Sequence, residues 1–344
     1  MGVVRGGSWS ALALLPLIFL GGCEDPLPQV VIYCSHDRAH AESILRSFER
    51  EHRIRVLAVY DTEANKTVGL AERLRREKAR PRCDVYWGNE PLRTIRLARE
   101  GVFEPYRSPS AAGIPRRFRS AEDLWCGFAA RVRAIAFSPE RTAPKELPGS
   151  LEELVDSRWR GMVAIADPRF GTTSSHLAAL RSVWGADRYR DWLRQLRAND
   201  VQVVASNSAT RDRVLSGEAS LGLTDTDDIE VVRRRGESIS ASFFPEGGTF
   251  LMPNTVAVVS GAPHLERAKV LVDYLLSVEV EEQLAAGPSR QIPLRRDVRV
   301  PPGGLSLDAL VLLEVSLEEA ASALPEAVDE AERALIDPPD GETR

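Results

Sequence analysis

The first third of the chain alternates short apolar runs with segments in which apolar residues recur every three or four positions. The apolar runs, which are typical of buried strands, lie at 30–34, 54–60 and 84–87. The segments with helical spacing lie at 39–51, 67–78 and 91–100. Strands that alternate with helices in this way predict a parallel sheet with helices on its faces.

The pattern changes near residue 125, where a long apolar segment over 125–137 predicts one extended strand. Further strands are predicted at 162–166, 201–204, 221–224 and 254–259. Helices are predicted at 174–184, 188–198, 210–216, 264–276 and over most of 305–335. A short helix is also predicted to begin at Ser150, because Glu153 completes a capping box. The chain therefore contains two α/β units, the second inserted into the first, with crossings near 123–133 and 245–253.

These patterns predict an α/β fold of two doubly wound sheets joined by a hinge, with a ligand cleft between them. A length of 344 residues fits two such lobes at roughly 150 residues per domain. We expect one lobe to comprise residues 30–125 with about 253–304, and the other about 126–252. Helices within 305–336 are expected to pack on the lobes, and residues 337–344 to form a tail.

The N-terminus has the pattern of an export signal, in which Arg5 precedes an apolar run at 11–20. This run is too short to span a membrane, which takes about 20 residues, and small residues follow it, as in a signal peptide. Residues 20–23 resemble the bacterial lipobox, so we expect 1–22 to be removed and Cys23 to be lipidated, with 23–29 as a tether. The chain is then lipid-anchored on the periplasmic or cell-surface side of the membrane. An uncleaved anchor or a buried helix is the alternative.

The balance of charges and the use of cysteine exclude several classes of protein. The net charge is −5, and no basic stripe is interleaved with aromatic residues, so nucleic-acid binding is not expected. After export, three cysteines remain: Cys34, Cys83 and Cys126. None belongs to a C-x-x-C motif, which argues against a zinc knuckle and a thioredoxin-type site. We expect all three to be small residues of the core or the cleft.

Polar residues follow most of the predicted strands, at the sheet edges where open α/β folds bind ligands. In the first unit these candidate ligand-binding residues are Ser35, His36, Glu63 and Glu90. In the second unit they are Thr172, Thr173, Ser174, Asn207, Ser208, Asp225 and Asp227. The Thr, Ser and Asn residues open two helices, whose N-terminal N–H groups can bind an anion. The alternative is that these residues only cap their own helices.

The loop after the predicted strand 221–224 contains three acidic residues, Asp225, Asp227 and Asp228. Such a cluster suits a cation, either a metal ion or an ammonium group. The alternative is a solvated turn that caps the next helix. An EF-hand is excluded, because positions 6 and 12 of the loop are not Gly and Glu. The ligands expected for a metal ion are His36, Glu90, Asp225 and Asp227, although a lone histidine is often structural.

No common enzyme signature occurs: G-x-S-x-G, H-E-x-x-H, G-x-G-x-x-G and the P-loop are all absent from the sequence. We therefore expect a binding protein with no catalytic residue and no catalytic cofactor. A metal-dependent enzyme built on His36, Glu90 and Asp225 is one alternative. A sensor that keeps the fold is another.

Six segments together resemble a known family; they lie at 33–36, 47–51, 125–133, 205–208, 217–224 and 253–257. In this order and behind a signal peptide, the chain resembles the periplasmic solute-binding proteins of ABC importers, and most of all their ferric-ion-binding branch. The similarity runs over nearly all of residues 29–335. It implies a two-lobe, type II periplasmic-binding-protein-like fold. It also implies a hinged receptor, which we expect to be monomeric, that delivers its solute to a membrane permease and its ATPase.

The resemblance also implies roles for two residues. Arg131 matches an arginine that often helps to hold a synergistic anion, and His36 matches a histidine that can bind the metal. Ferric-binding members carry adjacent tyrosines directly after the strand that ends here at 222–224, whereas this chain has an aspartate-rich loop. Members without the tyrosine pair include receptors for phosphonates and phosphorylated small molecules.

Two classes of solute are therefore expected. The first is iron or another metal ion, with or without a bound anion. The second is a phosphonate or another small phosphorylated or zwitterionic solute. In the second case Asp225 and Asp227 face an ammonium group, while Arg131 and the two helix N-termini face an anion. On either reading, we expect Asp225→Ala combined with Asp227→Ala to abolish binding and to leave the fold intact.

Overall fold

The computed structural model describes Gly2 and residues 27–61 and 68–337. The predicted lipidation site Cys23, the candidate residue Glu63 and the tail beyond Asp337 lie outside the described residues, as does nearly all of the predicted signal peptide. Within the ranges that are described, no helix combines the length and the apolar character needed to cross a membrane.

Nine strands and ten α-helices occur in the described part of the chain. The strands are β1 (Gln29–Cys34), β2 (Arg55–Tyr60), β3 (Val85–Gly88), β4 (Cys126–Phe137), β5 (Val163–Ala166), β6 (Gln202–Val204), β7 (Leu221–Asp225), β8 (Ser240–Ser242) and β9 (Leu251–Val258). The helices are α1 (Arg38–His52), α2 (Val68–Glu77), α3 (Pro91–Arg99), α4 (Gly171–Trp184), α5 (Ala186–Ala198), α6 (Asn207–Ser216), α7 (Thr226–Arg233), α8 (Leu265–Leu275), α9 (Val278–Ala286) and α10 (Leu317–Leu335). Short 3₁₀ turns lie at Pro109–Gly113, Arg116–Phe118, Pro144–Glu146, Glu152–Val155, Ser157–Trp159 and Leu307–Ala309.

The strands are ordered β2-β1-β3-β9-β4-β7-β5-β6, and β8 pairs with β4. In one half, β1 is parallel to β2 and β3, and β9 runs antiparallel beside β3; we call this part lobe 1. In the other half, β5 is parallel to β6 and β7; we call this part lobe 2. The long strand β4 belongs to both, because it pairs with β9 up to Val132 and with β7 from Arg133 onward. The predicted class of two α/β lobes is thus confirmed.

A β-bulge at Ala129 interrupts the pairing of β4 with β9. It lies opposite Pro253, which has no N–H to donate to the ladder. Ala129 takes a positive φ of 36°, and its N–H donates to Oε1 of Glu281 at 2.7 Å. The Glu281 carboxyl is buried, and this burial raises its pKa even though backbone N–H groups surround it. A carboxylate from α9 therefore accepts from the backbone N–H that the bulge takes out of the β-ladder.

The C-terminal helix α10 joins the two lobes. It packs on α3 of lobe 1 and on α4 and α5 of lobe 2, with Ala320, Ala327 and Ala331 fully buried. Ion pairs reinforce this packing on both sides: Arg99 to Glu318 at 2.5 Å in lobe 1, and Arg181 to Glu330 at 3.0 Å in lobe 2.

Several predicted elements have different limits. Helix α4 begins at Gly171, three residues before the predicted start. Ser150 caps no α-helix, because the segment after it forms only a 3₁₀ turn. The predicted helix over 305–335 is helical only from Leu317, since residues 310–313 run extended beside Thr249 and exchange backbone hydrogen bonds with it. No predicted element corresponds to β8 or α9, and no limits were predicted for the helix after the aspartate-rich loop, which is α7.

All three cysteines within the described ranges are buried, as expected of core residues. Burial raises the pKa of the Cys126 thiol to about 12 and that of Cys83 well above its usual value. These two thiols are therefore unreactive at neutral pH in the folded chain.

Candidate ligand cleft

A cleft of about 530 Å³, part of it open to solvent, lies between the two lobes. Lobe 1 contributes Asp37 and Asn89, which follow β1 and β3, and β4 contributes Arg131. Lobe 2 contributes Ala166, Asp167, Phe170, Gly171, Thr172, Thr173, Ala205, Ser206, Asn207, Ser208, Asp225, Asp227 and Asp228. The loops at the ends of parallel strands therefore meet in the cleft, as such sheets require.

The N-terminus of α4 opens into this cleft without a side-chain cap. Its N-cap residue is Phe170, which has no side-chain oxygen, and the first intrahelical bond runs from the N–H of Ser174 to the Phe170 carbonyl at 3.2 Å. The N–H groups of Thr172 and Thr173 have no acceptor among the described residues. They add to the positive end of a 14-residue helix dipole, which favours an anion at this point.

The N-terminus of α6 opens into the same cleft. Ser206 caps this helix by accepting from the N–H of Ala209 at 3.1 Å. Within the described chain, the N–H groups of Asn207 and Ser208 have no acceptor. The Ser208 hydroxyl lies 2.8 Å from that of Ser206. Two helix N-termini thus offer hydrogen-bond donors to one cavity.

Asp225 forms the centre of a buried network at the base of the cleft. Nη1 of Arg133 donates to its Oδ1 at 2.7 Å, and Nδ2 of Asn207 donates to its Oδ2 at 3.0 Å. The Thr172 hydroxyl donates to the same Oδ2. The other end of the Asn207 amide accepts from Arg133 at 3.0 Å and from Thr173 at 3.3 Å. These side chains hold one another, and the Asp225 charge is balanced within the protein.

Arg131 is bound in a similar way. Its Nε donates to Oδ2 of Asp227 at 3.0 Å, and both terminal nitrogens donate to the Asn89 carbonyl at 2.9 Å. Burial alone lowers the pKa of this guanidinium, but the carboxylates of Asp227, Asp225 and Asp37 raise it above its usual value. The sequence assigned Asp227 to a ligand cation and Arg131 to a ligand anion. In the structure these two residues bind each other.

The aspartate-rich loop brings three carboxylates together. Oxygen atoms of Asp225, Asp227 and Asp228 lie within 4.8 Å of one another. In the part of the chain described here, no other set of three or more acidic, histidine or cysteine ligands is close enough to hold a metal ion. His36 and Glu90, the other two ligands expected from the sequence, are not part of this group.

Glu90 is buried at the N-terminus of α3, where it serves as the N-cap. Its Oε2 accepts from the N–H of Leu92 at 2.8 Å and from the Ser175 hydroxyl of lobe 2 at 2.6 Å. Beside it, Nη1 of Arg93 donates to the hydroxyl of Ser174 at 2.8 Å. Glu90 and Ser174, both candidate ligand residues, therefore join the lobes and do not line the cleft.

His36 and Ser35 are also absent from the cleft lining. The imidazole of His36 is buried and stacks on Trp87 with ring centres 5.5 Å apart, and its Nε2 lies 3.2 Å from Nε2 of Gln291. The hydroxyl of Ser35 donates to Oδ2 of Asp61 at 3.1 Å. Of the described candidates, the cleft brings together Arg131, Thr172, Thr173, Asn207, Ser208, Asp225 and Asp227.

The sequence interpretation missed several residues of the site. Asp37 and Asn89 adjoin predicted residues in the same loops, and spacing alone does not tell which member of a loop faces inward. Arg133 had a usable signal, because it stands two residues after Arg131 on one strand and so shares its face. Asn89 is buried, and its Oδ1 accepts no hydrogen bond from any described residue.

Residues 94–302, more than half of the chain, match the family model for bacterial extracellular solute-binding proteins. The chain belongs to this family. The resemblance inferred from the sequence is confirmed, and the protein is a solute-binding receptor of the extracytoplasmic side.

Two relatives illustrate the range of the family. The chain is 29% identical over 229 residues to iron uptake protein A1 of Synechocystis, covering 63% of each chain. It is 25% identical over 236 residues to a putative 2-aminoethylphosphonate-binding periplasmic protein of Salmonella typhi, covering 67% of each. The names of these two relatives indicate different solutes, iron for one and an aminoalkyl phosphonate for the other.

Solved structures show the same fold. Iron-bound HitA from Pseudomonas aeruginosa superposes with a TM-score of 0.82 at 22% identity, over 90% of this chain and all of that one. AfuA from Actinobacillus pleuropneumoniae, with fructose 6-phosphate bound, superposes with a TM-score of 0.79 at 22% identity, over 90% of this chain and 98% of that one.

Proposed function

We propose that this chain is the receptor of an ABC importer, anchored by a lipid on Cys23, that captures a small solute between its lobes. It then delivers the solute to a membrane permease driven by an ATPase. Closure of the lobes excludes water and strengthens the polar contacts made to the solute. A solute that binds the closed form more tightly shifts the population toward it. The family and the cleft between the lobes support this role.

We propose further that the solute carries a negative and a positive group, as an aminoalkyl phosphonate does. The observation that carries this proposal is the convergence of the α4 and α6 N-termini, whose N–H groups at Thr172, Thr173, Asn207 and Ser208 lack acceptors among the described residues. These donors suit a phosphonate or phosphate group. The acidic side chains of Asp37 and Asp228 line the same cleft and suit an ammonium group. The Salmonella relative and the sugar phosphate in AfuA lend support.

A metal ion, with or without an anion, is the second candidate solute. The three carboxylates within 4.8 Å favour it, because carboxylates are hard oxygen donors. The iron-uptake relative and iron-bound HitA lend support. Against it, two of these carboxylates already balance the buried guanidinium groups of Arg131 and Arg133. A metal ion that took both carboxylates would leave those guanidinium charges unpaired, and no tyrosine is among the residues of the described chain that line the cleft.

One substitution separates the two solutes. Ser208→Asp places a carboxylate at the start of α6, where it stabilises the helix but repels a bound anion. We expect calorimetry to show 2-aminoethylphosphonate binding at least about ten-fold more weakly to this variant, by Coulomb repulsion at short range. The matched control is Ser208→Asn, whose side chain has the shape of aspartate without its charge. Its affinity for 2-aminoethylphosphonate should stay within about three-fold of that of the unmodified chain.

Binding of Fe²⁺, supplied as its chloride without a chelating anion, should be unchanged if the metal is the solute, because an added carboxylate does not weaken a cation site. A Ser208→Asp variant that binds iron as well as the parent chain, with no phosphonate binding by either, would establish the second candidate. Elemental analysis of protein purified without chelator adds an independent measurement. About one equivalent of a transition metal would also favour the metal ion.

A further inference from the structure

The end of α2 and the turn that follows it carry a dense cluster of positive charge. Residues 73–82, which we call the arginine segment, contain five arginines and one lysine against a single glutamate. The whole chain, by contrast, has a net charge of −5. A concentration of this kind on an acidic protein creates a local field that favours an anionic partner.

Only part of this charge is balanced within the protein. Arg73 pairs with Glu77 at 2.9 Å, and Arg75 pairs with Glu100 at 2.6 Å. Arg76, Arg80 and Arg82 are exposed, and none lies within ion-pair distance of a carboxylate of the described residues. With Arg73, Glu77 and Ala79 they line a shallow groove of about 750 Å³ that includes open solvent.

The arginine segment lies at the edge of lobe 1 where the chain enters the fold. Because β1, β2 and β3 are parallel, they begin at the same edge, with Gln29 opposite Arg55. Arg82 is three residues before the first residue of β3. The N–H of Arg55 donates to the carbonyl of Pro28 at 2.8 Å, and Arg267 donates to that of Gln29 at 2.6 Å. Basic residues thus surround the point at which the polypeptide leaves toward its N-terminus.

The reach of the tether fixes how far this edge stands from the membrane. Cys23 is six residues before Gln29, and a fully extended chain spans about 3.5 Å per residue, so the anchor is at most about 20 Å away. The cleft is at the carboxyl ends of the strands, on the far side of the sheet from this edge. A lipid on Cys23 therefore holds the arginine segment, and not the cleft, close to the lipid headgroups.

We propose that the arginine segment docks lobe 1 on the anionic phospholipid surface to which the chain is anchored. Basic residues beside a lipid anchor add an electrostatic attraction that depends on salt and on anionic lipid. This contact orients the receptor while it waits for solute. The inference relies on the lipid anchor of the proposed function, but not on the identity of the solute.

Vesicle flotation tests the contact directly. The mature chain from residue 23 onward contains all the described strands and helices, and Cys23→Ser keeps it free of acyl chains. We expect it to float with vesicles of phosphatidylcholine containing one third phosphatidylglycerol, but not with phosphatidylcholine alone. Raising the salt from low to about 0.5 M should release it, since the Debye length then falls below about 5 Å.

The variant Arg76→Gln/Arg80→Gln/Arg82→Gln should bind anionic vesicles roughly 100-fold more weakly, because each basic residue near such a surface contributes about five-fold. The matched control, Arg158→Gln/Arg188→Gln/Arg194→Gln, removes three exposed arginines of lobe 2 and should bind as the parent does. Equal loss in both triple variants, or no flotation of the parent, would overturn the inference. A third result would also overturn it: the parent binds its permease in vesicles of phosphatidylcholine alone, and the variant Arg76→Gln/Arg80→Gln/Arg82→Gln does not. The partner of the arginine segment would then be a protein.

Solute binding by calorimetry provides the independent readout. All three proteins should bind 2-aminoethylphosphonate with equal affinity, because the arginine segment lies away from the cleft. The two measurements are independent. Absence of solute binding would not affect the conclusion from vesicle flotation, and absence of flotation would not affect the conclusion from solute binding.

Discussion

Arg133 and Asp225 stand directly opposite each other in the register of β4 and β7, and their side chains form an ion pair at 2.7 Å. Neither side chain is more than 2% exposed. Asn207 and the Thr172 hydroxyl complete the hydrogen bonding of the carboxylate. The pair therefore holds the base of the cleft together, and removing one partner leaves a buried charge uncompensated.

We expect Asp225→Asn to lower the free energy of unfolding by roughly 3–5 kcal/mol, as measured by urea denaturation. The companion substitution Asp228→Asn, at a partly exposed position of the same loop, should change it by less than about 1 kcal/mol. Replacing both partners with apolar residues, Arg133→Met with Asp225→Leu, should recover much of the loss. A single Asp225→Asn variant as stable as the parent would contradict the buried pair. The buried pair also bears on Asp225→Ala combined with Asp227→Ala, which was expected from the sequence to leave the fold intact. We now expect that double variant to lose stability as well as binding.

The buried amide of Asn89 offers an acceptor that no described residue uses. We expect Asn89→Leu, which removes this polar atom while keeping the size, to leave the free energy of unfolding within about 1 kcal/mol or to raise it. Solute affinity should fall about ten-fold, because a donor group of the solute loses this acceptor. Thermal denaturation and calorimetry measure the two effects separately. A loss of stability with unchanged affinity would assign Asn89 a structural role only.

Arg93 joins the lobes through two hydrogen bonds, to the Ser174 hydroxyl at 2.8 Å and to the carbonyl of Arg169 at 3.1 Å. We expect Arg93→Met to shift the solute-free protein toward an open form, because bonds to a charged group contribute about 1.5–3 kcal/mol each. Small-angle X-ray scattering should show a larger radius of gyration, and the apparent affinity for solute should fall with the closed population.

The control for this change is Arg96→Met, one turn further along α3, where the guanidinium reaches only the Ala321 carbonyl at 3.5 Å. Its radius of gyration should match that of the parent. An identical change in both variants would mean that α3 itself, and not the bridge between the lobes, had been disturbed.

His176 makes stability depend on pH. Burial, together with the charge of Arg133, holds the pKa of this imidazole well below its usual value, so the folded chain keeps it neutral. The unfolded chain takes up a proton near pH 6.5. Below that pH the unfolded state binds more protons, and the free energy of unfolding falls by up to about 1.4 kcal/mol per pH unit until the folded pKa is reached.

His176→Phe removes this contribution and keeps a ring beside Phe250, on which the imidazole stacks at 6.0 Å. Denaturation between pH 5 and 7.5 should give the variant a shallower dependence than the parent. Parallel curves would show that the imidazole is protonated in the folded chain as readily as in the unfolded one.

The alternation of strands and helices was enough to predict the fold class. Each element buries one face, and the spacing of its apolar residues shows whether it is a strand or a helix. The limits of the helices were harder to predict where one residue type favours two kinds of local structure. Asp and Thr favour both turns and the first turn of a helix, so residues 226–228 were interpreted as part of a loop although they open α7. Leucines at 305–312 have apolar spacing, yet hydrogen bonds to Thr249 keep part of this segment extended. Those bonds join residues about 60 positions apart, which no local pattern reports.

The sequence also indicated part of the candidate site. The strand ends indicated which loops converge, and seven of the candidates do line one cleft. Sequence could not show which charges would pair, because Arg131 and Asp227 are 96 positions apart and meet only through the crossing of β4. It also could not show that Glu90 turns toward its own helix, where it caps α3 and bonds Ser175. Such choices follow from the burial of each charge, which depends on the completed fold.

The two arginines of β4 occupy the point where that strand leaves one sheet and joins the other. Residues at a strand crossing move least when the two sheets turn relative to each other about it. In the receptor proposed above, the buried ion pairs Arg131–Asp227 and Arg133–Asp225 would therefore stay intact while the walls of the cleft, Asp37 on one side and the helix N-termini on the other, move apart. The floor of the cleft would keep its internal balance of charge with or without a solute.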